Sequence, residues 1–223
     1  ELANLPSGDG EILGVGRNGG KLFERKLVRY AGINPGNGNL LFLDRDGNLT
    51  ENPNPDRDAV WTDKNAVPDA KGSFGFNLSY KGFYIDNQWS YVLGVDRQDV
   101  IYFELINNGF ALSQFQLSRD FFNAWTPDNR NTDIQSVNAT NSTSLTVRNN
   151  SDRFLLNSDF LRLRFLNMGY VFPKEYLKGT GLTKLKVFGS AENLVTFTKW
   201  RGYDAETRNA SETRNYPTPK VFS

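Results

Sequence analysis

Two residue types are missing altogether from the 223-residue sequence: it has no cysteine and no histidine. Disulfides, thiolate nucleophiles, Ser-His-Asp triads and imidazole metal sites are thereby excluded within the chain. Long apolar runs are missing too. Apolar residues make up 38% and the mean hydropathy is -0.54, so no stretch suits a transmembrane helix, although strands that alternate their faces keep an ordinary average. An excess of one charge is also lacking: the net charge of +1 gives no electrostatic case for nucleic acid. With no nucleophile–base pair available, and no carboxylate pair that stands out among many loop Asp residues, the chain is not expected to be an enzyme. No signal-peptide pattern follows Glu1. Glu1-Leu2-Ala3-Asn4 reads as mid-chain and Val221-Phe222 as the opening of a strand, so the expectation is a fragment, 1–223 forming part of one domain.

What the sequence does have is alternation. Aromatics reach 13%, mainly Phe and Tyr, which suits strands and membrane-interface girdles. Phe74, Phe76, Leu78 and Tyr80 fall on one face of a strand; Gly75, Asn77 and Ser79 fall on the other. Lys81-Gly82 reads as a tight turn. Phe83, Ile85, Trp89, Tyr91 and Leu93 then alternate with Asp86, Gln88 and Ser90. A second hairpin joins residues 154–172 to 185–198. Leu161 and Leu163 alternate with Arg162 and Arg164, but Leu166, Met168 and Tyr170 have the opposite parity. A one-residue bulge near Phe165 restores one apolar face. Between the arms, residues 173–181 predict one helical turn.

Residues 22–32 and 40–44 read as two further strands around Asn34-Pro35-Gly36. Long polar stretches separate the elements, at about 45–71, 96–152 and 199–220, with a short helix expected over 112–125. Short turns at one strand end and long loops at the other predict an all-β antiparallel transmembrane β-barrel with long extracellular loops. Arms of roughly 10 residues match a tilted membrane strand. On this reading the crossings run out, in, out, in, out, with the last strand starting inward at Lys220; turns 81–82 and 173–181 are periplasmic. Lipid would meet Phe76, Leu78, Ile85 and Leu163, and Trp89, Tyr91, Phe172, Tyr176 and Trp200 would lie near the interfaces.

Six stretches in order resemble the C-terminal region of the SusC/RagA family of TonB-dependent outer-membrane transporters of Bacteroidota. They are Tyr30-Ala31-Gly32-Ile33-Asn34-Pro35-Gly36; Gly75-Phe76-Asn77-Leu78-Ser79-Tyr80-Lys81-Gly82-Phe83; Ala124-Trp125-Thr126-Pro127-Asp128-Asn129; Phe160-Leu161-Arg162-Leu163 with Leu166 to Tyr170; Asn193-Leu194-Val195-Thr196-Phe197-Thr198 with Gly202-Tyr203-Asp204; and Tyr216-Pro217-Thr218-Pro219. The family's TonB box, plug domain, earlier strands and final strand have no counterpart here, and Asp204-Ala205-Glu206 lacks its usual Pro. The resemblance implies the C-terminal portion of a 22-strand barrel. It further implies import of oligosaccharides or peptides, energised by the TonB complex, under a SusD-like surface lipoprotein, and a dimer of such pairs. Two other readings stand beside it: a soluble secreted β-rich glycan-binding module, and a barrel with a structural or secretion-associated role.

Candidate residues follow from the faces. Asn77, Asp86, Gln88, Arg162, Arg164 and Glu192 are expected to face the lumen, either touching a polar solute or forming a ladder of cross-strand charge pairs, the plainer role. Tyr102, Phe121, Phe122 and Trp125 fall in the largest loop, where they stack on a ligand, touch a lid protein or pack the loop's own core. Asp44, Asp46 and Asn48 have the spacing of a calcium loop, but the residues beyond depart from it. An Asx turn is the better reading, and no cofactor is expected. The sequons at Asn48, Asn77, Asn138, Asn141, Asn149 and Asn209 are put down to Asn-rich loops.

Overall fold

The computed structural model describes residues 11–12, 16–107, 116–142, 150–206 and 217–223. In chain order the strands are β1 (Glu11–Ile12), β2 (Gly16–Arg17), β3 (Glu24–Leu27), β4 (Arg29–Ile33), β5 (Leu40–Leu43), β6 (Leu49–Thr50), β7 (Val60–Asn65), β8 (Ala70–Tyr80), β9 (Phe83–Leu93), β10 (Asp96–Gln98), β11 (Leu155–Asn157), β12 (Phe160–Val171), β13 (Lys186–Thr198) and β14 (Val221–Phe222). Two short helices accompany them, α1 (Pro55–Asp58) and α2 (Val100–Leu105). These elements form two compact units. The first takes its described residues from 1–67 and 95–157, the second from 68–94, 158–207 and 216–223.

The second unit is one antiparallel sheet in the order β14-β13-β12-β9-β8. Its four long strands have 11, 11, 12 and 13 residues, the length a tilted strand needs to cross a bilayer. Tyr80 pairs with Phe83 across Lys81-Gly82. Both turn residues have positive φ, 47° and 92°, the two-residue geometry whose twist matches the strands. Glycine is required at position 82, because a Cβ there would lie 2.7 Å from the Val171 carbonyl oxygen. Lysine at 81 carries the left-handed conformation at a cost, so Lys81→Asn should stabilise the hairpin by about 0.5–1 kcal/mol, read as a rise in unfolding midpoint. The expected bulge is present: the register of β12 shifts between Leu163 and Phe165 against both neighbours. The expected helical turn is the 3-10 segment Lys174–Leu177.

The first unit departs from expectation. The strands expected at 22–32 and 40–44 are present but short. They are β3, β4 and β5, of four or five residues each, too short to span a bilayer, and they pair with β7 or among themselves and β6. Residues 154–157 precede the second hairpin instead of opening it, since β11 pairs with β10. The long stretches 45–71 and 96–152 are not free loops: with β4 and β5 they close a core of Val28, Leu40, Phe42, Phe103, Ile106, Ala124, Ile134 and Phe154. Within the expected helix, Arg119–Asn123 is 3-10, while 108–115 lies outside the described residues; the α-helix is α2, further upstream.

Polar anchors fix this unit's turns. The Asn54 side chain caps α1, and Pro55 opens it. The buried Asp58 carboxylate accepts from the Asn54 amide at 2.8 Å and the Arg57 Nε at 2.7 Å. The Arg57 guanidinium, with the Asn54 and Arg45 amides, outweighs burial and holds the Asp58 carboxyl down at about 2, below the ordinary 3.8. A carboxyl depressed by folding stabilises the fold above its unfolded pKa and loses that contribution as pH falls through the folded one. The melting temperature should therefore drop between pH about 4 and 2, with a shallower slope in Asp58→Asn. Glu51 accepts from Asn34, Asn37 and Asn39 at 2.6–2.8 Å, tying down the turn before β5.

Candidate functional site

Register assigns every long-strand residue to a face of the sheet. One face carries the rows Tyr80-Phe83-Tyr170-Val187, Leu78-Ile85-Met168-Gly189, Phe76-Asn87-Leu166-Ala191 and Phe74-Trp89-Leu163-Val195. Most of its large apolar side chains are open to the surroundings: Leu78 is 60% exposed and Val187 59%, whereas Leu163, expected to meet lipid, is buried; the patch is far beyond what a water-soluble surface tolerates. Aromatic rings gather at its two ends. Tyr170 packs on Phe83 and Phe172, with centroids 4.6 and 4.9 Å apart. Trp89 stacks between Phe74 and Phe197 at 6.3 and 6.4 Å. The two groups are separated by roughly 20 Å along the strand, the arrangement of two interfacial girdles. Asn87 is the one polar member of these rows. It is buried, donates to the Phe76 carbonyl at 3.2 Å and accepts from the Trp89 indole at 3.0 Å, so its amide needs no water.

The opposite face is polar. Asn77, Asp86, Asn167 and Ser190 form one row; Gly75, Gln88, Phe165 and Glu192 the next; Ser73, Ser90, Arg162 and Thr196 the third. All six residues expected on one polar face thus share it, Arg164 included, since its Nε donates to the Ser90 hydroxyl at 2.7 Å. The arginines' partners differ from the expected ladder. Glu192 is exposed and forms no ion pair among the described residues. Both guanidinia turn instead to the segment beyond β13.

Arg162 is the centre of this cluster. It is 3% exposed. Its Nε donates to the Thr196 hydroxyl at 2.9 Å, Nη1 to Glu206 and the Thr218 hydroxyl at 2.9 Å each, and Nη2 to Asp204. Asp204 also accepts from the Glu206 and Thr218 amides at 2.9 Å and the Thr218 hydroxyl at 2.7 Å. Burial alone would raise the Asp204 carboxyl, but the Arg162 guanidinium and these amides hold it far below the carboxylate range. Arg164 donates through Nη2 to Glu206. Arg162 and Arg164 share a side by the two-residue period of the strand, and the bulge, with 164 as the extra residue, sets Phe165 on that side as well. Two guanidinia on one face need neutralising anions. The residues that supply them, Asp204 and Glu206, were not singled out from sequence; the acid-rich Tyr203-Asp204-Ala205-Glu206 run just after a strand was the available signal.

Comparison with known proteins places this architecture. No family model matches the chain. It is 31% identical over 198 residues to the TonB-dependent receptor P3 of Formosa agariphila, which covers 83% of the chain and 18% of that receptor. It is 24% identical to the TonB-dependent receptor SusC of Bacteroides thetaiotaomicron over 82% of the chain and 17% of SusC. Among solved structures it superposes on the RagAB peptide importer in the closed-closed state with a TM-score of 0.72 and 29% identity, over 89% of the chain and 22% of the importer chain. The open-open state gives a TM-score of 0.66 at 28% identity, covering 82% and 20%. The chain belongs to the SusC/RagA family of TonB-dependent transporters. It spans about a fifth of the length of the relatives it matches, and its five-stranded sheet is a segment of that family's β-barrel wall. The named relatives are receptors and importers.

The remaining candidates lie in the first unit of this SusC/RagA segment. Tyr102 and Phe121 pack against its core. Trp125 is half-buried and donates to the Pro35 carbonyl at 3.3 Å. Only Phe122 of the four aromatics projects outward, 91% exposed. Asp44 spends one carboxylate oxygen on the Asp46 and Asn48 amides, at 2.9 and 2.8 Å, which is an Asx turn with Gly47 at φ 85°. Those amides, Asn48 first, lower its carboxyl. Among the described residues no group of three acidic side chains is placed to hold a metal. Asn141 donates to the Leu40 and Glu51 carbonyls at 2.9 Å each, an internal use that leaves its amide committed. Asn149 and Asn209 lie outside the described residues.

Proposed function

We propose that the chain forms part of the wall of an outer-membrane importer. The apolar face meets lipid, the polar face lines the lumen, and the turn at Lys81-Gly82 and residues 173–181 point to the periplasm. The observation that carries this reading is the pairing of a predominantly apolar, largely exposed face with a polar face on strands of membrane-spanning length. The long stretches 45–71, 96–152 and 199–220 are then extracellular. Uptake is driven through the TonB complex, the solutes are peptides or oligosaccharides, a SusD-like lipoprotein closes the mouth, and two such pairs assemble as a dimer. Likeness to a peptide importer over most of the chain supports peptides.

Uptake assays test the reading. Cells making the complete receptor should accumulate a labelled peptide or oligosaccharide only while TonB is present and the inner membrane is energised. Accumulation independent of TonB would contradict an energised importer. A water-soluble monomer obtained without detergent would support the secreted-module reading instead.

A further inference from the structure

We infer that Arg164 marks a carboxylate-binding position on the polar face, which Glu206 occupies as an internal stand-in for a carboxylate carried by the solute. The inference rests on the import reading above and sharpens it, by giving the solute a free carboxylate.

The two acids of the cluster are not equivalent. The Asp204 side chain is 3% exposed, and both its oxygens are filled by Arg162, two backbone amides and the Thr218 hydroxyl. Displacing it would strand a buried guanidinium, which is strongly unfavourable. The Glu206 side chain is 39% exposed, and the Arg164 side chain it meets is 28% exposed. Arg164 uses only its Nε, on Ser90, and Nη2, on Glu206, among the described residues, out of the five N–H donors a guanidinium offers. Its spare donors lie in the fork geometry that takes a carboxylate bidentately. Glu206 also accepts from the Arg162 Nη1 at 2.9 Å, a contact the exchange gives up while Arg162 keeps Thr196, Thr218 and Asp204; exchanging Glu206 for a solute carboxylate keeps the charge balance at Arg164. Asp204 meanwhile still holds Thr218 to Arg162, so the exchange does not release the segment before β14. Burial thus separates a fixed acid from a replaceable one.

An internal carboxylate competes with the solute at high effective concentration, so removing it should tighten solute binding. The test uses the complete receptor in detergent, with a short N-acetylated neutral peptide and the same peptide as its C-terminal amide. Glu206→Gln should bind the free acid about tenfold more tightly than the parent, the worth of one charge-assisted hydrogen bond, with the amide unchanged. Arg164→Gln should erase the preference for acid over amide. Arg164→Lys, which keeps the charge and loses the fork, should retain only part of it. Heat-modifiable mobility on gels confirms a closed barrel in each variant. If acid and amide bind alike in the parent and in Glu206→Gln, the position is wrong while the import reading stands. If neither peptide binds any closed barrel, the position and the peptide reading both fall.

Discussion

Arg162→Met should lower the stability of the barrel by about 3–5 kcal/mol, read as a shift in the urea midpoint of the complete receptor. Methionine fills much of the same volume, so packing changes little. What is lost is the Arg162 guanidinium on Asp204, a carboxylate that stays buried beside Thr218. The segment Asp204–Glu206 is held to β12 through this arginine, and Thr218 is held to Asp204, three residues before β14 begins. The loss should therefore also loosen the seating of Val221-Phe222 on Glu192 and Ala191. Replacing both partners, Arg162→Met with Asp204→Leu, should recover most of the stability, because the buried carboxylate is then removed together with its guanidinium. Equal losses in the single and double variants would show that shape, not charge, dominates the cluster.

Phe76→Arg should cost about 2–4 kcal/mol, and Gln88→Arg much less. Phe76 sits in the central row of the apolar face with Leu166 and Ala191, whereas Gln88 sits centrally on the polar face with Phe165 and Glu192. An arginine at 76 must enter hydrocarbon or distort the bilayer; one at 88 enters a surface already built for guanidinia. Refolding into vesicles and titrating with denaturant measures both. Similar costs at the two positions would contradict the face assignment.

The long strands were legible because their alternation is uninterrupted: Phe74 to Tyr80 and Phe83 to Leu93 fix both faces and the turn without any tertiary information. Even the bulge followed from the parity change after Arg164. Residues 40–44 were expected to hold a short strand and do, but Leu40-Leu41-Phe42-Leu43 is apolar throughout, and nothing local shows that its buried side, Leu40 and Phe42, packs into a small loop core. Length was the better discriminator, since four residues cannot cross a bilayer. The helix α2 was hidden because Val100, Ile101, Tyr102 and Phe103 are β-branched or aromatic, residues that favour strands by propensity; tertiary packing of Phe103 and Ile106 into the core overrides it. The arginines were found and their partners were not. Arg162 and Asp204 are 42 positions apart, and nothing local distinguishes an acid that will be buried from one that will be hydrated.

The central claim, that one face of this sheet meets lipid and the other a polar interior, is tested most directly by spin labels. Single cysteines are placed along residues 74–80 and 83–91, where the chain has none of its own, in a complete receptor freed of any other cysteine and held in vesicles. Accessibility to oxygen, which concentrates in lipid, and to a water-soluble nickel chelate should then alternate with a period of two. Labels at Phe74, Phe76, Leu78, Ile85 and Trp89 should favour oxygen, and those at Gly75, Asn77, Asp86 and Gln88 the chelate. Uniform accessibility to the chelate along both strands, with no alternation, would contradict a membrane-spanning wall.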